Sequence, residues 1–294
     1  MRTVAVLTAP LVVTVVAWGS GIAGFLSLRD AANARVATAA AAEVDGAKLY
    51  AQHCAYCHGE KGDGNGPARL DPKARDFGTN KFKLATTRNG VACDEDLFGV
   101  IRRGIPGSSM PAFPEDKLTD GEVWAVANHV RVLTKAGMYE KIRQKLEDEG
   151  EDFDPGYAAK LVATNAQPGE RLAVPQSFPP LSAESLARGH QVYMKVCAQC
   201  HGPEGRGDGP QAKDPNFRND DKTPAHPRDF TAGVFKSGRD PHGLYARIVL
   251  GMPGTPMPAN TALTEQEVCD VIHYVLSLSQ PGAAGTTGSV AAVP

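Results

Sequence analysis

This 294-residue chain carries one stretch of sequence twice, so any fold it adopts must accommodate two copies of the same core. Gly46-Ala47-Lys48-Leu49-Tyr50 is answered by Gly189-His190-Gln191-Val192-Tyr193, and Cys54-Ala55-Tyr56-Cys57-His58 by Cys197-Ala198-Gln199-Cys200-His201. The correspondence continues through Gly62-Asp63-Gly64-Asn65-Gly66-Pro67 and Gly205-Arg206-Gly207-Asp208-Gly209-Pro210, then through Arg75-Asp76-Phe77 and Arg228-Asp229-Phe230. It reaches Gly104-Ile105-Pro106-Gly107-Ser108-Ser109-Met110-Pro111-Ala112 and Gly251-Met252-Pro253-Gly254-Thr255-Pro256-Met257-Pro258-Ala259. Each copy closes on a helix: Val123, Val126, Ala127, Val130 and Leu133 follow helical spacing, and Val268, Val271, Ile272, Val275 and Leu278 repeat it. Thr119 and Thr264 precede these helices as N-caps, with Glu122 and Glu267 completing capping boxes. Solenoid units are far shorter, so the pattern is duplication of a whole domain.

Within each copy, Cys-x-x-Cys-His is the attachment signature of c-type haem. Two thiols one helical turn apart can each bond a vinyl group of one porphyrin while the adjacent imidazole reaches the iron. The spacing therefore predicts two covalent haem c groups, on Cys54, Cys57 and His58 and on Cys197, Cys200 and His201. A zinc knuckle would need four ligands in one cluster, and a thioredoxin-like redox pair a βαβ setting. An iron held by one histidine needs a sixth ligand or keeps an open site. Met110 and Met257 occupy corresponding positions in Pro/Gly-rich loops, and a thioether there favours Fe(II) and raises the reduction potential. Met252 is the competing candidate, but the repeat aligns it with Ile105 rather than with Met110.

Other residues carry weaker signals. A proximal histidine usually donates its second ring nitrogen to a carbonyl, for which Pro67 and Pro210 are candidates, with a purely turn-shaping role as the alternative. Arg75 and Arg228 recur in register and could pair with haem propionates or lie on the surface. Of the 6 cysteines, Cys93 and Cys269 fall outside the motifs, too few for a disulfide scaffold. Cys269 replaces Trp124 and reads as a small buried hydrophobe; a disulfide with Cys93, a thiolate ligand from Cys93 or a link to a partner chain are the sharper readings.

From Thr3 to Leu28 no residue is charged, a run long enough to span a bilayer. A cleavable secretory signal is the rival reading, but the run exceeds a typical signal core. The net charge of −2, with no basic stripe of interleaved aromatics, gives no reason to expect a nucleic-acid partner. The chain thus divides into an anchor or signal (1–30), an Ala-rich tether (31–44), a first domain (45–134), a helical then Pro-rich linker (135–180), a second domain (181–280) and an unpatterned tail (281–294) expected to be disordered.

At the haem motifs, the Gly46/Tyr50 and Gly189/Tyr193 pairs and the methionine loops, the chain resembles the class I cytochromes c, and more narrowly bacterial membrane-anchored dihaem cytochromes c. The resemblance covers Asp45–Leu133 and Leu181–Leu278. It implies an all-α fold of two tandem class I domains, preceded by one N-terminal transmembrane helix, with the haems outside the cytoplasmic membrane. Gly46 and Gly189 would let the last helix of each domain cross closely. The implied function is single-electron relay in a respiratory chain, between a membrane complex or dehydrogenase and a terminal acceptor. A dihaem peroxidase or thiosulfate-type oxidoreductase is the enzymatic alternative, and would require an open or unusually ligated iron. A third reading makes the chain the cytochrome subunit of a larger enzyme.

Overall fold

Each copy begins with a helix whose start is written into its cap. In the computed structural model, which describes residues 44–279, α1 (Gly46–His53) opens at Asp45, whose carboxylate accepts the Lys48 N–H at 3.0 Å. The short α2 (Ala55–His58) carries the first Cys-x-x-Cys-His. Next come α3 (Asp94–Arg103) and α4 (Asp120–Asp148), the latter entered through the expected capping box: Thr119 N–H donates to Glu122 Oε2 at 2.8 Å and Glu122 N–H to Thr119 Oγ1 at 3.3 Å. After α5 (Pro155–Asn165) the second copy repeats the plan with α6 (Ala183–Val192), a π-helical turn at Tyr193–Cys197, α7 (Ala198–His201), α8 (Pro241–Leu250) and α9 (Glu265–Ser277). Thr264 and Glu267 form the equivalent box on α9. Among the described residues there is no strand, only the isolated bridges Thr87–Arg171 and Arg218–Pro224, so the fold is all-α as expected.

The crossing of first and last helices builds each core. A Cβ on Gly46 would lie 2.1 Å from the Ala125 carbonyl oxygen of α4, and one on Gly189 2.0 Å from the Asp270 carbonyl oxygen of α9. Any side chain would hold these helices apart, so glycine is required by close approach rather than by backbone angle. Around the first crossing pack Tyr50, Phe77, Leu97, Val123, Val126 and Val130; around the second pack Tyr193, Phe235, Leu244, Val268, Val271 and Ile272. Removing these side chains from water is the dominant stabilising term of each domain.

The copies differ after Leu133. Helix α4 runs for 29 residues against 13 for α9. Its extension is rich in strong helix formers and carries Arg143 between Glu140 and Glu147, both within ion-pair distance. It also serves the first domain, because Gly137 lets the extension lie directly on Gly78, where a Cβ would come within 2.7 Å of the Gly78 Cα.

The segment after α5 is bonded along its length. Asn165 and Gln167 carbonyls accept from the Asn80 and Asn89 amides at 3.0 and 2.9 Å, Arg88 N–H donates to Glu170 O, and Leu172 N–H to Thr86 O. Leu172, Val174 and Phe178 then pack on the second core. This strap ties the two domains, which belong to one compact unit. Arg247 reinforces the seam. Only 6% exposed, it extends from α8 of the second domain to donate to the Lys83 and Ala85 carbonyls of the first at 2.6 and 2.5 Å.

No helix among the described residues is long and apolar enough to cross a membrane. The expected transmembrane helix within Thr3–Leu28, and the tail from 281, lie outside the described residues.

Candidate haem sites

The two Cys-x-x-Cys-His turns are held by matching bonds. Tyr50 and Tyr193, buried in the cores, donate their hydroxyls to the carbonyls of Gly59 and Gly202 at 2.7 Å, locking the residue that follows each histidine. Burial pushes both phenols well above their usual range, so they remain donors. Glycines 64 and 207 send their N–H groups to the His58 and His201 carbonyls at 2.9 and 2.8 Å, and Phe77 and Phe230 send theirs to Gly62 and Gly205 at 2.7 Å. The Gly-rich loop is thereby folded back over the imidazole in both domains.

That fold-back selects the carbonyl partner of each histidine. His58 Nδ1 lies 3.4 Å from the Arg75 carbonyl and His201 Nδ1 3.2 Å from that of Arg228, so the suggested Pro67 and Pro210 carbonyls do not fill this role. Those prolines follow Gly66 and Gly209, which pack on the outer backbone of the Cys turn; a Cβ on Gly66 would sit 2.4 Å from Tyr56 O. A carbonyl only accepts, so Nδ1 carries the proton and Nε2 is left as the basic nitrogen. Burial pushes both imidazoles below their ordinary pKa, which keeps them in the neutral, ligating form. Phe77 stacks on His58 at 4.8 Å and Phe230 on His201 at 4.4 Å, fixing the plane of each ring.

The methionine loops are copies of one another. Ile105 N–H donates to Met110 O at 3.1 Å, and Met252 N–H to Met257 O at 3.1 Å. Ser108 Oγ accepts the Met110 N–H at 3.2 Å, as Thr255 Oγ1 does that of Met257 at 3.3 Å. Met252 thus fills the place of Ile105, and Met257 that of Met110. The loops close at Gly104 and Gly251, whose φ angles of 67° and 69° and crowded Cβ positions admit no side chain.

All six cysteines are free among the described residues. Cys54 and Cys197 are partly buried thiols pushed up to about 11 by that burial. Cys93 is the buried N-cap of α3, with Asp96 accepting its backbone N–H at 3.0 Å, and Cys269 is 2% exposed within the second core. Phe77, Phe230 and Arg247 also shape the sites and the seam, although no haem-attachment or ligand motif includes them. The recurrence of Arg-Asp-Phe in register was the signal for the first two; nothing in the repeat flagged Arg247, which aligns with Val100.

The donor set fits a covalently held porphyrin iron: paired thiols on one turn, a neutral imidazole oriented through Nδ1, and a thioether in a closed loop. The family described as "Cytochrome C oxidase, cbb3-type, subunit III" matches residues 41–130, and the family "Cytochrome c" matches residues 186–279. Comparison with curated proteins returns no match. Among solved structures, a chain of the Kuenenia stuttgartiensis reducing HAO-like protein complex is similar, with 33% identity and a TM-score of 0.66 over 80% of this chain and 96% of that one. Two haem-motif domains of matching internal geometry, each within a cytochrome c family, place the chain among the dihaem cytochromes c, built of two tandem cytochrome c domains and made for haem-based electron transfer.

Proposed function

We propose that the chain relays single electrons in a bacterial respiratory chain, through two haem c groups each ligated by histidine and methionine. In this reading the haem domains lie at the outer face of the cytoplasmic membrane, tethered through Thr3–Leu28. The observation that carries the ligand assignment is the identical hydrogen bonding of the two methionine loops, which sets Met110 and Met257, and not Met252, in equivalent positions. Bound haem supplies the Fe(III)/Fe(II) couple. The chain's residues hold the geometry constant through that couple: Tyr50 and Tyr193 lock the Cys turn, the Arg75 and Arg228 carbonyls orient the imidazoles, and the glycine-closed loops present the thioethers. Fixed ligands keep reorganisation small, and docking with redox partners is expected to be brief and steered by charge.

The likeness to a chain of a reducing HAO-like protein complex supports a second reading, in which this carrier is the cytochrome subunit of a larger oxidoreductase. The ligand assignment is tested with Met110→Ala and Met257→Ala in the haem-loaded chain. Each should remove part of the long-wavelength sulfur-to-iron charge-transfer band of the oxidised protein and lower one of its two midpoint potentials. An unchanged band in either variant would refute the assignment at that haem.

A further inference from the structure

The two methionine loops meet side chains from the opposite domain. A Cβ built on Gly107 would touch an Arg228 guanidinium nitrogen at 2.7 Å and Val234 Cγ1 at 3.0 Å, and Arg228 Nη2 lies 3.5 Å from the Gly107 carbonyl oxygen. A Cβ built on Gly254 would touch an Arg75 guanidinium nitrogen at 3.1 Å and Lys81 Cβ at 3.4 Å. The repeat pairs Gly107 with Gly254 and Arg75 with Arg228, and in the same register Lys81 with Val234. The approach of each arginine to the opposite glycine therefore recurs under exchange of the domains, while the carbonyl of Gly107 accepts from Arg228 and that of Gly254 from the Asp220 N–H. Both glycines are in the left-handed region, with φ of 69° and 77°, so the guanidinium occupies space that only glycine leaves open.

Further bonds hold this arrangement in place. Lys81 forms an ion pair with Asp220 across the seam, and Asp220 N–H in turn donates to the Gly254 carbonyl at 3.3 Å. Pro253, beside Gly254, lies 3.4 Å from where a Gly90 Cβ would be. Lys83 and Lys236 line the same seam, where Asp221, Asp220 and Asp76 face Arg75 and Asp221 also faces Lys83, and burial together with Arg228, Lys83 and Arg75 pushes Lys236 down to about 8. The arginines have a double role. The backbone carbonyl of each orients the histidine of its own domain, while its side chain lies beside the methionine-loop glycine of the other.

We infer that Arg228 is a positioning residue for Met110 and Arg75 one for Met257, so that each iron's sixth ligand is held by the opposite domain and the two redox centres are not independent. The inference rests on the methionine ligation proposed above. A cation beside a ligand loop favours the reduced iron, and the contact also restrains the loop from opening. Neither effect would reach the other haem preferentially if the arginine served only its own domain.

The test uses the full haem-loaded chain, with Met257→His as a background that displaces the second haem's potential and so identifies the first. Arg228→Gln should lower the first haem's midpoint by more than the second's, and speed displacement of Met110 by cyanide by roughly threefold or more. Arg75→Gln, read in a Met110→His background, should give the mirror result. Arg228→Lys keeps the charge and stem; should Arg228→Gln fail to load haem, this milder variant should shift the haems in the same order by less. A dominant effect on the arginine's own haem, equal effects on both, or no effect would overturn the inference. If Met110→Ala leaves the sulfur-to-iron band intact, the ligand assignment itself has failed; a lost band with no response of the first haem to Arg228→Gln overturns only the cross-domain role.

Discussion

Substituting Gly189 by alanine isolates the helix crossing on which the second domain is built. The added methyl carbon would lie 2.0 Å from the Asp270 carbonyl oxygen, 2.6 Å from its carbon and 3.0 Å from Tyr274 Cβ. The obstacle is α9 backbone, which has no rotamer to change, so α6 and α9 must separate by about 1 Å, and overpacking of this kind costs about 1–3 kcal/mol or more. Alanine's better helix propensity returns up to about 1 kcal/mol, leaving a net loss of about 1–2 kcal/mol, a sizeable fraction of a domain's stability. Gly121→Ala is the matched control. Gly121 sits in the first turn of α4 with nothing within 4 Å of its Cβ position, so the same change there should stabilise by up to about 1 kcal/mol. Urea unfolding of the haem-loaded chain, followed by haem absorbance and circular dichroism, measures both. If Gly189→Ala unfolds at the parent's midpoint, the close crossing is not what requires glycine and the reasoning fails.

Two further outcomes follow from the seam and the caps. Arg247→Met removes the donor shared by the Lys83, Ala85 and Gly251 carbonyls while relieving a buried guanidinium that burial already pushes down to about 10; the net cost should be about 1–3 kcal/mol, and the domains should begin to unfold in separate steps, whereas a single unchanged transition would show the seam does not depend on this residue. The Thr119 N–H and hydroxyl hold the Glu122 carboxyl below its usual range; a depressed folded pKa contributes stability that is present above the unfolded value and is lost as the pH falls through the folded one, so Glu122→Gln should flatten the acid side of the stability curve, as a urea series across that pH range would measure.

Much of this molecule could be read locally. The Cys-x-x-Cys-His turns, the capping boxes on α4 and α9 and the apolar spacing of those helices depend on residues a few positions apart, and short-range geometry settles them. The duplication carried the assignment further, since comparing two copies separated Met257 from Met252 where one copy would have left both open. The carbonyl partner of each histidine is not legible in the sequence, because Pro67 and Arg75 are both near, and only the return of the Gly-rich loop, with Gly66 pressed on the Cys turn, chooses between them.

The contacts between domains belong to another level. Arg75 and Arg228 repeat in register whether they bind a cofactor, face water or cross a seam, and Arg247 interrupts no pattern that would mark it. Their roles arise when two folded domains meet and bring them against carbonyls and glycines more than a hundred residues away, as with Arg228 and Gly107. A linear pattern records which side chains a local element needs; which distant backbone a long cation reaches is decided by packing, because that partner comes into range only after both cores have formed.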